Sequence, residues 1–418
     1  LRLDTAFSRL KLDLGATPEA VSRDRDAGPT TRAWLAYEAT LRETGALDFD
    51  DLVARSVRTL ETDPTTLDRW RASCAHLLVD EAQDLDRSQL RMALLLAAPA
   101  NRIFLVGDDD QSIYGWRLAD VRRVLSLADR LPGLRRVDLE VNYRCPRPVV
   151  ERAVRLVSHN RERFVKTVRA APDAPGRLVL APDGSDDAVR VRRVLASWPE
   201  DGGTRAFLSR TNRELLPVAG VALELGLPFR SPLIPWPIES RYVDELLAAA
   251  EREPDAPLLV RLARVREASL ADPPLATDDE DTARPGPFTR LEVATALLAW
   301  ATRFDELPGL AAAVRGQRRL LEALRRDDAR LVLATAHGTK GLEFDHVAVL
   351  TDGFPGYAGT EGSAEPERVL EEERRLAYVA WTRARRSLTL VYDPAAPSRF
   401  LTEAFSSGEL GIDATVAA

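Results

Sequence analysis

Short, continuous apolar runs recur along the chain, each closed by a polar or glycine-containing turn. They are "HLLVDE" (76–81), "IFLVGD" (103–108), "RLVLAPD" (177–183), "RAFLSRTN" (205–212), "LVLATAHG" (331–338), "HVAVLTDG" (346–353) and "SLTLVYD" (387–393). Unbroken rather than alternating apolar residues predict strands covered on both faces, as in a parallel sheet. Helical patterning falls between them, at 85–98, 118–130, 146–159 and 367–386. The result is an α/β pattern with two clusters of strands, and ligands in such sheets bind at the carboxyl ends of the strands. Residues 1–47 read as mostly helical, and "LDFDDL" (47–52) leads into the first cluster. Between 213 and 330 the text turns helical and rich in Ala, Leu and Arg, which predicts a helical insertion between two halves of an α/β domain. The stretch "DPPLATDDEDTARPGP" (272–287) inside it is acidic and Pro-rich, and is expected to be a mobile loop.

Length and composition refine this picture. A chain of 418 residues is too long for one ordinary core, so two or more domains are expected. Hydrophobic content of 45% and charged content of 29% are those of a soluble globular protein. No apolar run approaches the ~18 residues of a membrane span, and the first residues have no signal-peptide pattern. The two cysteines, Cys74 and Cys145, build no disulfide framework, so a cytoplasmic location is expected. The net charge of −7 excludes a surface coated in positive charge, but a local basic groove suffices for nucleic acid. Only three of the 58 Lys and Arg residues are lysine: Lys11, Lys166 and Lys340.

The candidate chemistry sits at strand ends. "LLVDEAQD" (77–84) delivers two adjacent carboxylates. Asp80 suits a hydrated Mg²⁺, and Glu81 suits orienting or deprotonating an attacking water. The bland alternative is an acidic pair opening a helix. In "GDDDQSIYGWR" (107–117), Gln111 is placed to sense a γ-phosphate and Arg117 to bridge phosphate and Glu81. Tyr114 and Trp116 offer faces for unstacked bases; the alternative is that both are core aromatics. "LEVNYRCP" (139–146) puts Arg144 just past a strand as a candidate arginine finger. In "TAHGTKGLEFDHV" (335–347), Thr335, His337, Thr339 and Lys340 precede Glu343 in a loop suited to gripping a sugar–phosphate backbone. "EEERRLAYVAWTRAR" (371–385) reads as a charged amphipathic helix, by default a salt-bridged surface helix, with Arg383 as a second phosphate arginine. No HxxxH pattern or Cys/His cluster supports a transition-metal site.

In this order the segments resemble the motifs of superfamily 1 DNA helicases of the UvrD/PcrA/Rep type. "VDEAQD" is similar to motif II, "GDDDQSIYGWR" to motif III, "NYR" to motif IV, "TAHGTKGLEF" to motif V and "EEERRLAYVAWTRA" to motif VI, and "LSRTN" and "LDFDDL" resemble further landmarks. The resemblance spans about residues 35 to 395. It implies two RecA-like domains of the P-loop NTPase type with helical insertions, ATP and Mg²⁺ bound between them, and 3′-to-5′ translocation on single-stranded DNA and single-strand/duplex junctions. It implies the division 1–47 (remnant of a helical 1B), 48–137 (partial 1A), 138–212 (first part of 2A), 213–330 (reduced 2B) and 331–418 (second part of 2A). Under it Asp80 binds Mg²⁺, Glu81 activates water, and Gln111 and Arg117 couple the γ-phosphate to the DNA. Tyr114 and Trp116 contact bases, Arg144 and Arg383 the γ-phosphate, Glu343 the ribose, and Thr335, His337, Thr339 and Lys340 the DNA. Repair or recombination proteins become candidate partners, and a membrane does not.

The sequence also departs from the family. No G-x-x-x-x-G-K-[ST] occurs, and none of the three lysines can supply its cation. The resemblance therefore implies an N-terminally truncated chain, the first RecA-like domain incomplete, inactive alone. Leu118 stands where the family has glycine, and the 213–330 insertion is short. Two functions stay open: part of an ATP-dependent DNA helicase, or a motor-dead DNA-binding or scaffold subunit of a repair, recombination or defence complex.

Overall fold

Apolar side chains on both faces of an extended segment require cover on both faces, and the two strand clusters meet that requirement to different degrees. The computed structural model describes residues 3–22, 28–131, 133–231, 236–253, 255–271, 288–356 and 365–412. The chain divides into two units, Leu1–Glu140 with Val157–Thr167, and Val141–Leu156 with Val168–Ala418. The second α/β segment, expected over 138–212 without interruption, thus contains an excursion: Val157–Thr167 belongs with the first unit.

In the first unit, helices Pro29–Thr44, Phe49–Thr62 and Pro64–Ser73 precede strand β1 (Leu77–Val79). Asp48 and Asp63 cap the second and third of these, accepting backbone N–H groups of the first turn. "LDFDDL" also holds a buried cation: Lys11 Nζ lies 2.6 Å from Glu38, 2.6 Å from Asp48 and 3.3 Å from Asp51. Helix Arg87–Ala97 opens on a capping box of Asp86 and Gln89 and leads to β2 (Ile103–Leu105), parallel to β1 with Leu78 opposite Phe104. Ile103 and Leu105 pack into the cluster of Leu90, Leu127 and Leu131. Period-two alternation sends Leu78 and Phe104 to the other face, where they are 73% and 64% exposed. Among the described residues this sheet has only its two strands. The helix expected over 118–130 is broken at Ser126 into Val121–Leu125 and Leu127–Arg130.

The second unit opens with the parallel pair β3 (Val141–Asn142) and β4 (Arg169–Ala170), β3 leading to helix Arg147–Val157. Six further strands follow: β5 (Arg177–Pro182), β6 (Arg205–Ser209), β7 (Phe229–Arg230), β8 (Leu331–Thr335), β9 (Phe344–Leu350) and β10 (Ala384–Tyr392). They form one parallel sheet in the order β5-β10-β9-β6-β8-β7. Helices Asp187–Ser197 and Leu216–Glu224 share a core with it built on Val191, Trp198, Val218, Phe207 and Leu333. The helical insertion expected from residue 213 begins later, because helix Leu216–Glu224 and β7 belong to this sheet. Its own core joins helices Tyr242–Glu251, Leu258–Ala268, Arg290–Ala301 and Leu307–Leu324 through Leu246, Leu262, Leu297 and Leu310. The loop expected at 272–287 lies outside the described residues.

One expectation is overturned. The helix at 367–386 runs over Pro366–Trp381 and is not a solvated surface helix: Glu371, Glu373, Arg374 and Arg375 are all buried. Burial is affordable because each charge is matched. Arg210 grips Glu373 with bonds of 2.7–3.0 Å, Arg374 meets Glu403 at 2.7 Å, and Arg375 lies 3.3 Å from Glu371.

Candidate functional site

In the first unit β1 ends at Val79, and Asp80 and Glu81 follow as exposed carboxylates. Glu81 adopts φ 49°, ψ 42°, a left-handed conformation that side chains other than glycine's rarely take. Three non-glycine residues have positive φ among those described, and two of them, Glu81 and Leu118, flank this site. Such strain persists where surrounding contacts over-determine it. The contact here is Gln83, fully buried. Its Nε2 donates to Glu81 Oε2 at 2.5 Å, and its Oε1 accepts the Asp108 N–H at 3.0 Å. Ser112 Oγ donates to the Gln83 carbonyl at 3.3 Å. The two strand ends are thus joined through one amide side chain. Gly107 makes room for it: a Cβ there would lie 2.5 Å from Gln83 Oε1.

Past β2, Gln111 Nε2 donates to Asp108 Oδ2 at 2.7 Å. Tyr114 and Trp116 are half-buried and meet edge to face at 6.1 Å, 75° between planes. The exposed Arg117 guanidinium lies 4.7 Å from the Trp116 ring centre and 5.8 Å from that of Tyr114. Leu118 has φ 67°, which is the backbone reason a glycine suits that position. Burial, with Asp84 nearby, raises the Tyr114 phenol above its ordinary value.

In the second unit, Asn142 Oδ1 accepts the N–H groups of Arg144 and Cys145 and so turns the chain after β3. Arg144 Nε donates to Glu343 at 2.8 Å, and Arg385 reaches the other carboxylate oxygen at 3.2 Å. The Arg144 hydrogen bond holds the Glu343 carboxyl below its ordinary range. Arg383 lies beyond the end of its helix, 1% exposed, with Nε on the Val379 carbonyl at 2.8 Å and Nη1 on the Leu342 carbonyl at 3.2 Å. As placed it caps the carboxyl end of helix Pro366–Trp381. Thr335 ends β8 and accepts the Gly338 N–H at 3.3 Å. His337 and Thr339 are buried in a short turn after it, and Thr339 Oγ1 donates to the Ala336 carbonyl. Lys340 follows, half-buried.

Glu81, Asp80, Gln111, Tyr114, Trp116 and Arg117 are therefore gathered at one pair of strand ends in the first unit. Arg144, Glu343 and Arg383 are gathered in the second unit, and Thr335, His337, Thr339 and Lys340 in the loop after β8. A family model described as the UvrD/REP helicase N-terminal domain matches residues 6–132, and one described as the UvrD-like helicase C-terminal domain matches residues 317–394. The chain carries domains of the UvrD-like helicase family. It is 30% identical over 232 residues to the ATP-dependent DNA helicase PcrA of Staphylococcus epidermidis, covering 54% of this chain and 32% of that protein. It is 26% identical over 475 residues to DNA helicase II of Escherichia coli (strain K12), covering 89% of this chain and 64% of the relative. The putative ATP-dependent DNA helicase YjcD of Bacillus subtilis is 27% identical over 432 residues, with 86% and 57% covered. The chain thus spans between about a third and just under two thirds of the length of these relatives.

Sequence reasoning missed Gln83, although "DEAQD" contains it, and passed over Arg163 and Lys166. A signal for the two bases existed. Three consecutive aspartates beside an apolar strand need counter-charge, and lysine is scarce here. Among the described residues no helix is long and apolar enough to cross a membrane.

Proposed function

We infer that this chain is the DNA-engaging, water-activating part of an ATP-dependent DNA helicase that moves 3′ to 5′ on single-stranded DNA. The observation that supports it is the single path Glu81–Gln83–Asp108–Gln111, which links a strand-end acid pair to the stretch bearing Tyr114, Trp116 and Arg117. A motor needs its nucleotide-sensing and base-contacting groups on one rigid piece.

Asp80, an exposed carboxylate at a strand end, fits a hydrated Mg²⁺ that shares its shell with phosphate oxygens. Bound nucleotide would supply the phosphoanhydride bond. Glu81, fixed by Gln83, would orient water; Gln111 and Arg117 would report the phosphate state toward Tyr114 and Trp116. Arg144 and Arg383 would contact phosphate, and Glu343 would contact ribose. Arg144 and Arg383 would first have to release Glu343 and the backbone carbonyls they now hold. These residues do not by themselves fit the phosphate chain. The 418 residues contain no G-x-x-x-x-G-K-[ST], and Lys11 and Lys166 are each locked among carboxylates. On this reading the 418 residues alone turn over no ATP.

The same absence favours a second reading, a motor-dead DNA-binding subunit. Binding of a fluorescent oligothymidine tests the DNA half of both. Micromolar or tighter, salt-sensitive binding lost in Arg117→Ala and Trp116→Ala supports contact at this stretch. Binding indifferent to both substitutions refutes it.

A further inference from the structure

Asp108, Asp109 and Asp110 bring three carboxylates within 4.8 Å of one another, and Asp109 and Asp110 are buried. Such a trio would repel itself out of shape without a cation. The cation is part of the chain. Lys166 Nζ lies 2.6 Å from Asp108 Oδ1 and 3.0 Å from Asp110 Oδ2, and also contacts Asp109. Arg163 straddles Asp110, with Nε at 2.9 Å from one oxygen and Nη2 at 2.7 Å from the other. The Phe164 N–H donates to Asp109 Oδ2 at 2.8 Å. All three donors sit on the excursion Val157–Thr167, a strap that leaves the second unit's sequence and returns to it.

The strap grips more than the acids. Lys166 holds one oxygen of Asp108, and the other oxygen accepts Gln111 Nε2. The Asp108 N–H is taken by Gln83, whose amide nitrogen holds Glu81. Asp108 is thus the shared partner of the strap and of both glutamines. Burial works to raise its carboxyl, and Lys166 with Gln111 more than reverses this.

We propose that Lys166, backed by Arg163, is a positioning residue: by fixing Asp108 it sets the side chains of Gln111 and, through Gln83, Glu81. The proposal rests on the functional reading only in what those two side chains are for. Its geometry is testable without ATP or DNA.

The chain has four glutamines: Gln83, Gln89, Gln111 and Gln317. Selective ¹⁵N-glutamine labelling of the full chain therefore gives four pairs of side-chain amide signals, assigned by replacing each Gln with Glu in turn. Gln83 and Gln111 lie in the polar path. Gln89 serves the capping box of helix Arg87–Ala97 and reports whether the first unit is folded. Gln317 reports on the second unit. In Lys166→Met the Gln83 and Gln111 pairs are expected to move to the positions of solvated amides, while Gln89 and Gln317 stay. Lys166→Arg, which keeps a cation, is expected to keep all four. If Lys166→Met alone displaces Gln89, the charge-conserving pair Asp109→Asn/Lys166→Met decides. It removes one carboxylate with the ammonium but still frees Asp108. Gln83 and Gln111 signals that stay in place in a variant whose Gln89 is intact overturn the proposal. So does loss of Gln89 in both variants, which makes the strap a purely structural lock. Neither result depends on catalysis, so neither is confused with failure of the helicase reading.

Discussion

Replacing Gln83 with leucine keeps side-chain volume roughly constant and removes two hydrogen bonds at once. The bond to Glu81 has a charged but exposed acceptor, and water replaces much of it, so its loss costs about 0.5–1.5 kcal/mol. The bond from the Asp108 N–H is different, because that donor faces a buried side chain and leucine offers no acceptor. An unsatisfied donor of this kind costs about 1–3 kcal/mol. The two together come to about 1.5–4.5 kcal/mol. The left-handed Glu81 turn also loses the contact that holds it, so relaxation there should return part of this cost. Because the chain has two units, a single melting temperature is a poor measure. Hydrogen exchange read by mass spectrometry on peptides covering residues 77–84 and 103–112 reports the local opening directly. At about 1.4 kcal/mol per tenfold, protection should fall roughly 10- to 1,600-fold. Peptides from the sheet of the second unit should not change, and Glu81→Gln should leave the turn protected, since its amide oxygen still accepts. A change of less than about threefold in Gln83→Leu would mean that the two strand ends are not joined through this side chain, and the proposed coupling path would fall with it.

Trp116→Ala should weaken single-stranded DNA binding by about 1–3 kcal/mol, or roughly 5- to 150-fold, if one base stacks on the ring. Unchanged affinity with loss of thermal stability would show that the half-buried ring serves the core. Burial pushes the Cys145 thiol up to about 11 despite Arg144 and Arg383 nearby, whereas Cys74 is half-buried. At about pH 8 a thiol reagent should therefore label only Cys74 in the native chain and both cysteines in denaturant; rapid native labelling of Cys145 would contradict its placement. The Glu343 carboxyl is held below its ordinary 4.5, first by the Arg144 hydrogen bond. A lowered carboxylate contributes stability above its unfolded value and loses that contribution as pH falls through the folded one. The stability gap between the native chain and Glu343→Gln should accordingly shrink from about pH 6 to about pH 3, and a gap independent of pH would show that the pairing contributes nothing.

The central strand runs of the second unit were legible because they are buried on both faces and so are mostly apolar; "FDHVAVL" and "RAFLS" are buried almost throughout, whereas the edge strand β5 is only partly covered. β7 was not legible, because two residues between a turn and the strand's end carry no pattern, and the helical insertion was drawn too early for that reason. The helix Pro366–Trp381 misled because charges at i and i+4 look alike in a solvated helix and in a buried one with distant partners. Arg210 and Glu403, which match Glu373 and Arg374, lie 163 and 29 residues away. The placement of the acid pair and the aromatic stretch at strand ends was legible, since each follows directly on an apolar run. The strap was not, because Lys166 meets Asp108 across 58 residues and nothing local marks the pairing.

DNA-stimulated ATP turnover by this chain tests the central claim most directly, measured alone and joined to an N-terminal segment carrying a G-x-x-x-x-G-K-[ST] loop, each with and without Glu81→Gln. The account expects background turnover from the chain alone. It expects DNA-dependent turnover from the joined protein, falling by about 10²–10⁴-fold in Glu81→Gln as a general base is removed. DNA-stimulated, Glu81-dependent turnover by the 418 residues alone would contradict the need for that loop. Turnover in the joined protein that ignores both DNA and Glu81 would contradict the motor itself.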